Sequence, residues 1–112
     1  MSRKKDTTSE SGTESKIWLK VHRRGAEILV AACDVCLVGE HLKDERFSVH
    51  ISPEFYKGEL VNDETFVVYM RTATIANLFG KHTVALAIRA GFVEKENVIK
   101  IAGVPHAQMV VM

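Results

Sequence analysis

The sequence predicts an α+β domain: a mainly antiparallel sheet of about five strands with two or three helices on one face. Period-two apolar alternation near the start of the chain marks strands. A stripe at helical spacing, framed by cap residues, marks helices in the second half. The order strand, strand, strand, helix, helix, strand, strand keeps the two kinds of element apart, and no internal repeat is visible.

Each element has its own local reason. Ile17, Leu19 and Val21 alternate with Trp18, Lys20 and His22, as in a half-buried strand. Arg23-Arg24-Gly25-Ala26 supplies a turn, and the apolar run Glu27 to Cys33 returns as a second, central strand to make a β-hairpin. Asp34 to Gly39 leads away from it. Arg46 to Ser52 alternates again, with Phe47, Val49 and Ile51 on one side. Ser52-Pro53 reads as cap and first position of a short helix that Gly58 stops. Asn62-Asp63-Glu64 opens the main helix, whose stripe is Phe66, Tyr69, Met70, Ala73 and Asn77 and whose C-terminal stop is Gly80. A second helix runs from about His82 to Ala90 and stops at Gly91. Val98 to Ala102 and Ala107 to Val111 are strands, joined by a turn at Gly103-Val104-Pro105-His106 in which Pro105 has the option of a cis bond.

Composition limits what such a domain can be. With 112 residues, 46% hydrophobic and 26% charged, the chain suits one ordinary globular domain that needs no staple. We expect residues 1–15 to be a disordered polar tail and residues 16–112 to be the folded unit. No apolar run approaches the ~20 residues of a membrane span, and the polar start lacks the apolar core of a secretory signal. A cytoplasmic protein with no membrane partner is the expectation. The net charge is +1, so no global positive field steers the domain onto nucleic acid.

Several residues carry chemistry beyond packing. Cys33-Asp34-Val35-Cys36 is a C-x-x-C, and His41 and His50 follow, but Arg46 stands where a zinc knuckle has its fourth ligand. Cys33 also ends an apolar strand, where a thiol packs as a small hydrophobe. No metal and no cofactor is therefore expected. Lys20, His22, Arg23 and Arg24 gather at the first hairpin with Trp18, a composition suited to phosphate contact and base stacking; Arg3, Lys4 and Lys5 add charge in the tail. Thr74, Asn77, His106 and Gln108 read as a structural clamp or a possible pocket. Asn77 bridges neighbouring backbone, Thr74 bonds to the preceding turn, and His106 with Gln108 locks the last hairpin onto the main helix. His106 is also the best general-base candidate, without a visible nucleophile.

Two C-terminal segments, A-T-I-A-N-L-F-G at Ala73 to Gly80 and I-A-G-V-P-H-A-Q at Ile101 to Gln108, are the most particular text in the chain. With Lys20-Val21-His22, Val30 to Asp34, Phe55-Tyr56 before Gly58, and Gly91 before Glu96-Asn97-Val98, they resemble an archaeal conserved uncharacterised family, domain of unknown function 424. The resemblance implies a compact α+β fold and no particular reaction; Cys36 is outside its pattern. The leading expectation is a non-enzymatic RNA- or ribosome-associated accessory protein of the archaeal translation apparatus. Its partners would be ribosomal or other RNA. A protein-interaction module or homodimer comes second. A small enzyme using His106 or His22 comes third.

Overall fold

The computed structural model describes residues 14–111. Arg3, Lys4 and Lys5, and most of the proposed tail, lie outside the described residues. The elements run β1 (Ile17–Arg24), β2 (Glu27–Asp34), β3 (His41–Lys43), β4 (Ser48–His50), α1 (Pro53–Tyr56), β5 (Glu59–Val61), α2 (Asp63–Thr72), β6 (Ile75–Phe79), α3 (Lys81–Arg89), β7 (Ile99–Ile101) and β8 (Val104–Val110). The main sheet has six strands in the order β5-β1-β2-β6-β8-β7, with β3 and β4 forming a separate two-stranded sheet. Of its pairings only β2–β6 is parallel. The α+β class and mainly antiparallel sheet agree with the sequence reading.

Alternate residues of the central strands face two different cores. On one face Leu19, Val30, Ala32, Leu78 and Ala107 pack beneath α2 and α3, which contribute Phe66, Met70, Val84 and Ala87. Burying such large side chains contributes roughly 2–3 kcal/mol each. On the other face Ala31, Cys33, Phe79 and Ile101 meet Ile51 and Tyr56, with Phe55, Phe47 and Val49 packed around them. The short α1 and the β3–β4 hairpin supply that second cover. Asp44 ties the hairpin down: its carboxylate accepts from the backbone N–H groups of Arg46, Phe47 and Ala102.

The largest departure from the sequence reading is Ala73 to Gly80. The helical stripe continues through Ala73 and Asn77, yet α2 ends at Thr72 and Ile75–Phe79 is a central strand. The same letters also alternate: Ala76 and Leu78 enter the helix-covered core, while Asn77 and Phe79 face the opposite way. A ladder slot between β2 and β8 decides between the two periods, because a central strand satisfies its backbone groups on both sides. Thr74 N–H, for example, donates to Ile28 C=O. Gly80 therefore ends no helix; at φ +114° it precedes α3. A Cβ there would strike the Asp34 carboxylate.

The last hairpin is also tighter than expected. Its turn is Ala102-Gly103, at φ 52° and 83°, and Pro105 and His106 belong to β8. All described peptide bonds are trans, Pro105 included. Pro105 fits a strand because its carbonyl accepts from Gly80 N–H, so its missing donor points past the end of β6. Two strands escaped the sequence reading, β3 and β5, each three residues long.

Candidate functional site

The site is built on the sheet face that α2 and α3 leave uncovered. Register sets its rows. His22 lies opposite Leu29, which lies opposite Ile75 and then Val110. Lys20, Ala31, Asn77 and Gln108 form the next row; Trp18, Cys33, Phe79 and His106 form the third. Sequence-distant polar groups are thus neighbours across four strands.

Asn77, His106 and Gln108 line a cavity of about 500 Å³ together with Tyr56, Phe79, Phe47 and Asn97. Tyr56 Oη donates to Asn77 Oδ1 at 2.6 Å. Burial pushes the Tyr56 hydroxyl far above its ordinary pKa, so it keeps its proton and remains a donor. The His106 ring stacks on Phe79, centroids 4.1 Å apart. Its Nδ1 is 2.9 Å from Leu78 C=O, a contact that requires Nδ1–H to donate. Burial lowers the His106 pKa, outweighing that hydrogen bond, and favours the neutral ring with Nε2 as a bare acceptor. His106 thus bonds to strand β6 rather than to a helix, and Asn77 meets the Tyr56 side chain rather than neighbouring backbone.

Thr74 does not join this cavity. Its hydroxyl accepts from Ile28 N–H at 2.9 Å and donates to Glu27 at 2.7 Å, so it bonds across to β2 rather than back to its own preceding turn.

The basic hairpin is more committed than its composition suggests. Lys20 Nζ donates to Glu54 C=O at 2.8 Å, and His22 Nε2–H donates to Phe55 C=O at 2.9 Å. The His22 ring also stacks on Phe55, and Lys57 sits over the half-buried Trp18 ring at 5.2 Å. Arg23 and Arg24 are exposed, with no side-chain partner among the described residues. They line a second cavity of about 470 Å³ with His22, Glu27, Leu29, Phe55 and Ile75. Ile75 and Asn77 are two residues apart on the same face of β6, so the two cavities are neighbours, about 7 Å apart along that strand.

The C-x-x-C divides. Cys33 is buried, and burial first, then the Asp34 charge, pushes its thiol up to about 12. Cys36 is exposed. His41 and His50 stack on each other, centroids 4.0 Å apart, across β3 and β4. Among the described residues no group of three or more His, Cys, Asp or Glu is placed to hold a metal ion. Nor is any described helix long and apolar enough to cross a membrane.

Sequence reasoning missed Tyr56, Phe79 and Phe47 as site residues, and it missed Asp34 as a cap. Asp34 takes Thr83 N–H, Thr83 Oγ1–H and His82 N–H at the start of α3, at 2.8, 2.8 and 3.1 Å. Its signal was a lone acid at a strand end. Tyr56 had no signal beyond the Phe55-Tyr56-x-Gly58 text, because only the tertiary fold carries it to Asn77.

Fold and site together define a small mixed-sheet α+β domain with one face sealed by helices and one face partly open, lined by rings and amides. The chain belongs to the archaeal family described as protein of unknown function (DUF424), whose model matches residues 22–112. It is also similar to the crystal structure of an uncharacterized conserved protein from Methanopyrus kandleri, at 27% identity and a TM-score of 0.74, over 84% of this chain and 90% of that one. None of the curated proteins matches it.

Proposed function

We propose that this is a non-enzymatic RNA-binding protein that lays a single-stranded segment across the open sheet face, as an accessory of the archaeal translation apparatus. The observation that supports the reading most is the adjacency on one sheet face of two unlike surfaces. One is the cavity lined by His22, Arg23 and Arg24, where both arginines are exposed; the other is the ring- and amide-lined cavity at Asn77 and His106. Cations beside stacking surfaces are what a single strand requires, phosphates going to the first and bases to the second. Binding fits better than catalysis because His106 is held by a backbone carbonyl rather than by an acid that would activate it. With a net charge of +1, the contact is local and salt-sensitive.

The test is fluorescence anisotropy of single-stranded RNA at several salt concentrations, with sedimentation of ribosomal particles alongside. The double variant Arg23→Ala, Arg24→Ala is expected to bind about tenfold more weakly and to lower the salt slope by about 1–2. No binding at low salt, together with migration free of ribosomes, overturns the reading. A tight dimer by light scattering in that case favours a homodimeric interaction module instead.

A further inference from the structure

We propose that the groove between α3 and β7 docks an acidic amphipathic helix of a partner protein. Topology makes the groove. α2 packs on β1 and β2, and α3 packs on β2, β6 and β8. The helices therefore cover the sheet only as far as β8, and the edge strand β7 has no described helix above it. Alternation sends Asn97, Ile99 and Ile101 into the cavity on the open face, so Val98 and Lys100 face the helix side. There they meet Lys81, Val84, Ala85 and Ile88 of α3 around a groove of about 370 Å³, and Lys95 joins the lining.

Two properties of the lining choose the occupant. Its floor is aliphatic: Val84 is buried, and Ile88 and Val98 are half-buried. Ala85, exposed on the same side of α3, is small enough to let a second backbone approach. Its charges are all positive: Lys81, Lys95 and Lys100 are exposed, and no acidic side chain lines the groove. Glu94 and Glu96 flank Lys95 in sequence, but neither lines it. Arg89 is one turn beyond Ala85 on α3 and extends the row that Lys81 begins. The chain as a whole is nearly neutral at +1, so these cations are a local accumulation. An aliphatic floor accepts an apolar stripe, and a rim of lysines accepts carboxylates. A helix with large apolar residues on one face and Asp or Glu beside them supplies both. Lying over β7, it would be the next helix in the row after α3, at about 8–10 Å between axes. Nucleic acid fits less well, because no ring or amide lines the groove to stack on or pair with a base. A second copy paired face to face would set these lysines against its own.

The inference does not draw on the RNA reading and uses the opposite face of the sheet. The probe is a synthetic helix of about 18 residues with leucines on one face and glutamates on the other. Its control carries lysines in place of the glutamates. Anisotropy of the labelled peptides against the full chain measures binding, and NMR of the backbone amides locates it. The acidic peptide is expected to bind, with shifts concentrated at Ala85, Val98 and Lys100, and to bind more weakly as salt is raised. The double variant Lys81→Glu, Lys100→Glu is expected to bind it about tenfold or more weakly and to take up the basic control instead. Both lysines are exposed, so the variant is expected to stay folded, and thermal unfolding checks this. Ala85→Gln fills the groove without a change of charge and is expected to weaken the acidic peptide as well. No binding of that peptide, equal binding of both peptides, or shifts away from the groove overturns the inference. So does a dimer by light scattering that the double variant dissociates. Single-stranded RNA that moves the groove amides while the acidic peptide does not also overturns it, and assigns the groove to nucleic acid.

Discussion

The two faces of the sheet are made by the same strands and obey different rules. Along β6, Ala76 and Leu78 are sealed beneath the helices, while Asn77 and Phe79 face the cavity one residue away. Along β8, Ala107 is in the helix-covered core and its neighbours His106 and Gln108 line the cavity. On the helix-covered face the buried positions of the central strands (Leu19, Val30, Ala32, Ala76, Leu78 and Ala107) are all apolar and vary mainly in size. On the other face, polar groups alternate with rings, and Asn77 and His106 each have one partner that fixes their direction: Tyr56 for Asn77, Leu78 for His106. The first face is a packing solution. The second spends burial on groups that packing alone does not ask for, and such groups are where a binding site is sought.

The comparison breaks most sharply at Phe66. This ring is fully buried under the sheet, and Phe66→Ala is expected to cost about 3–5 kcal/mol. That is a large share of the roughly 5–15 kcal/mol a domain has in total. Denaturant titration measures it; RNA binding of whatever protein stays folded should not move, because Phe66 is on the opposite face from the cavity. A next, smaller loss is expected at the seam between the faces. Asp34→Ala removes three hydrogen bonds from the start of α3 and is expected to cost about 2 kcal/mol. An unchanged denaturation midpoint for that variant would mean that the cap contributes nothing and that Gly80 alone sets the entry to α3.

What the sequence discloses follows the same division. The first hairpin was legible because its alternation and its turn residues are local, though β1 runs two residues past its expected end, to Arg24, and β2 one residue past its own, to Asp34. The Ser52 and Asn62 caps were legible for the same reason: each accepts the N–H three residues on. Ala73 to Gly80 was not, because its apolar positions satisfy both periods and only a vacant ladder position between β2 and β8 selects the strand. The clamp role of His106 was visible in its setting of Gly, Pro and Gln, whereas its partner was not: Leu78 belongs to the stretch read as helix. The cavity itself was half legible. Asn77, His106 and Gln108 were marked by being polar among apolar residues, and Tyr56, Phe79 and Phe47 were hidden by being ordinary core rings.

The smallest expected effect tests whether the open face carries a cost in acid. Burial lowers the folded-state pKa of His106 below its ordinary 6.5, against the opposing pull of the Leu78 hydrogen bond. The unfolded chain keeps a value of about 6.5. Between the two values the unfolded state binds more protons, so stability rises with pH in that window. Above about 6.5 the ring is neutral in both states and its burial costs nothing in proton terms. Below it, acid removes stability until the folded ring itself takes up a proton. His106→Asn retains an N–H for Leu78 and removes the titrating group. Urea midpoints at pH about 7.5 and about 5 should therefore differ more for the wild type than for the variant. Every other group is common to both proteins and cancels in that difference. Equal differences would show that the ring is solvated well enough to protonate in place. Nε2 would then be a donor in acid, and the polar pattern that distinguishes this face from the helix-covered one would hold only at neutral pH.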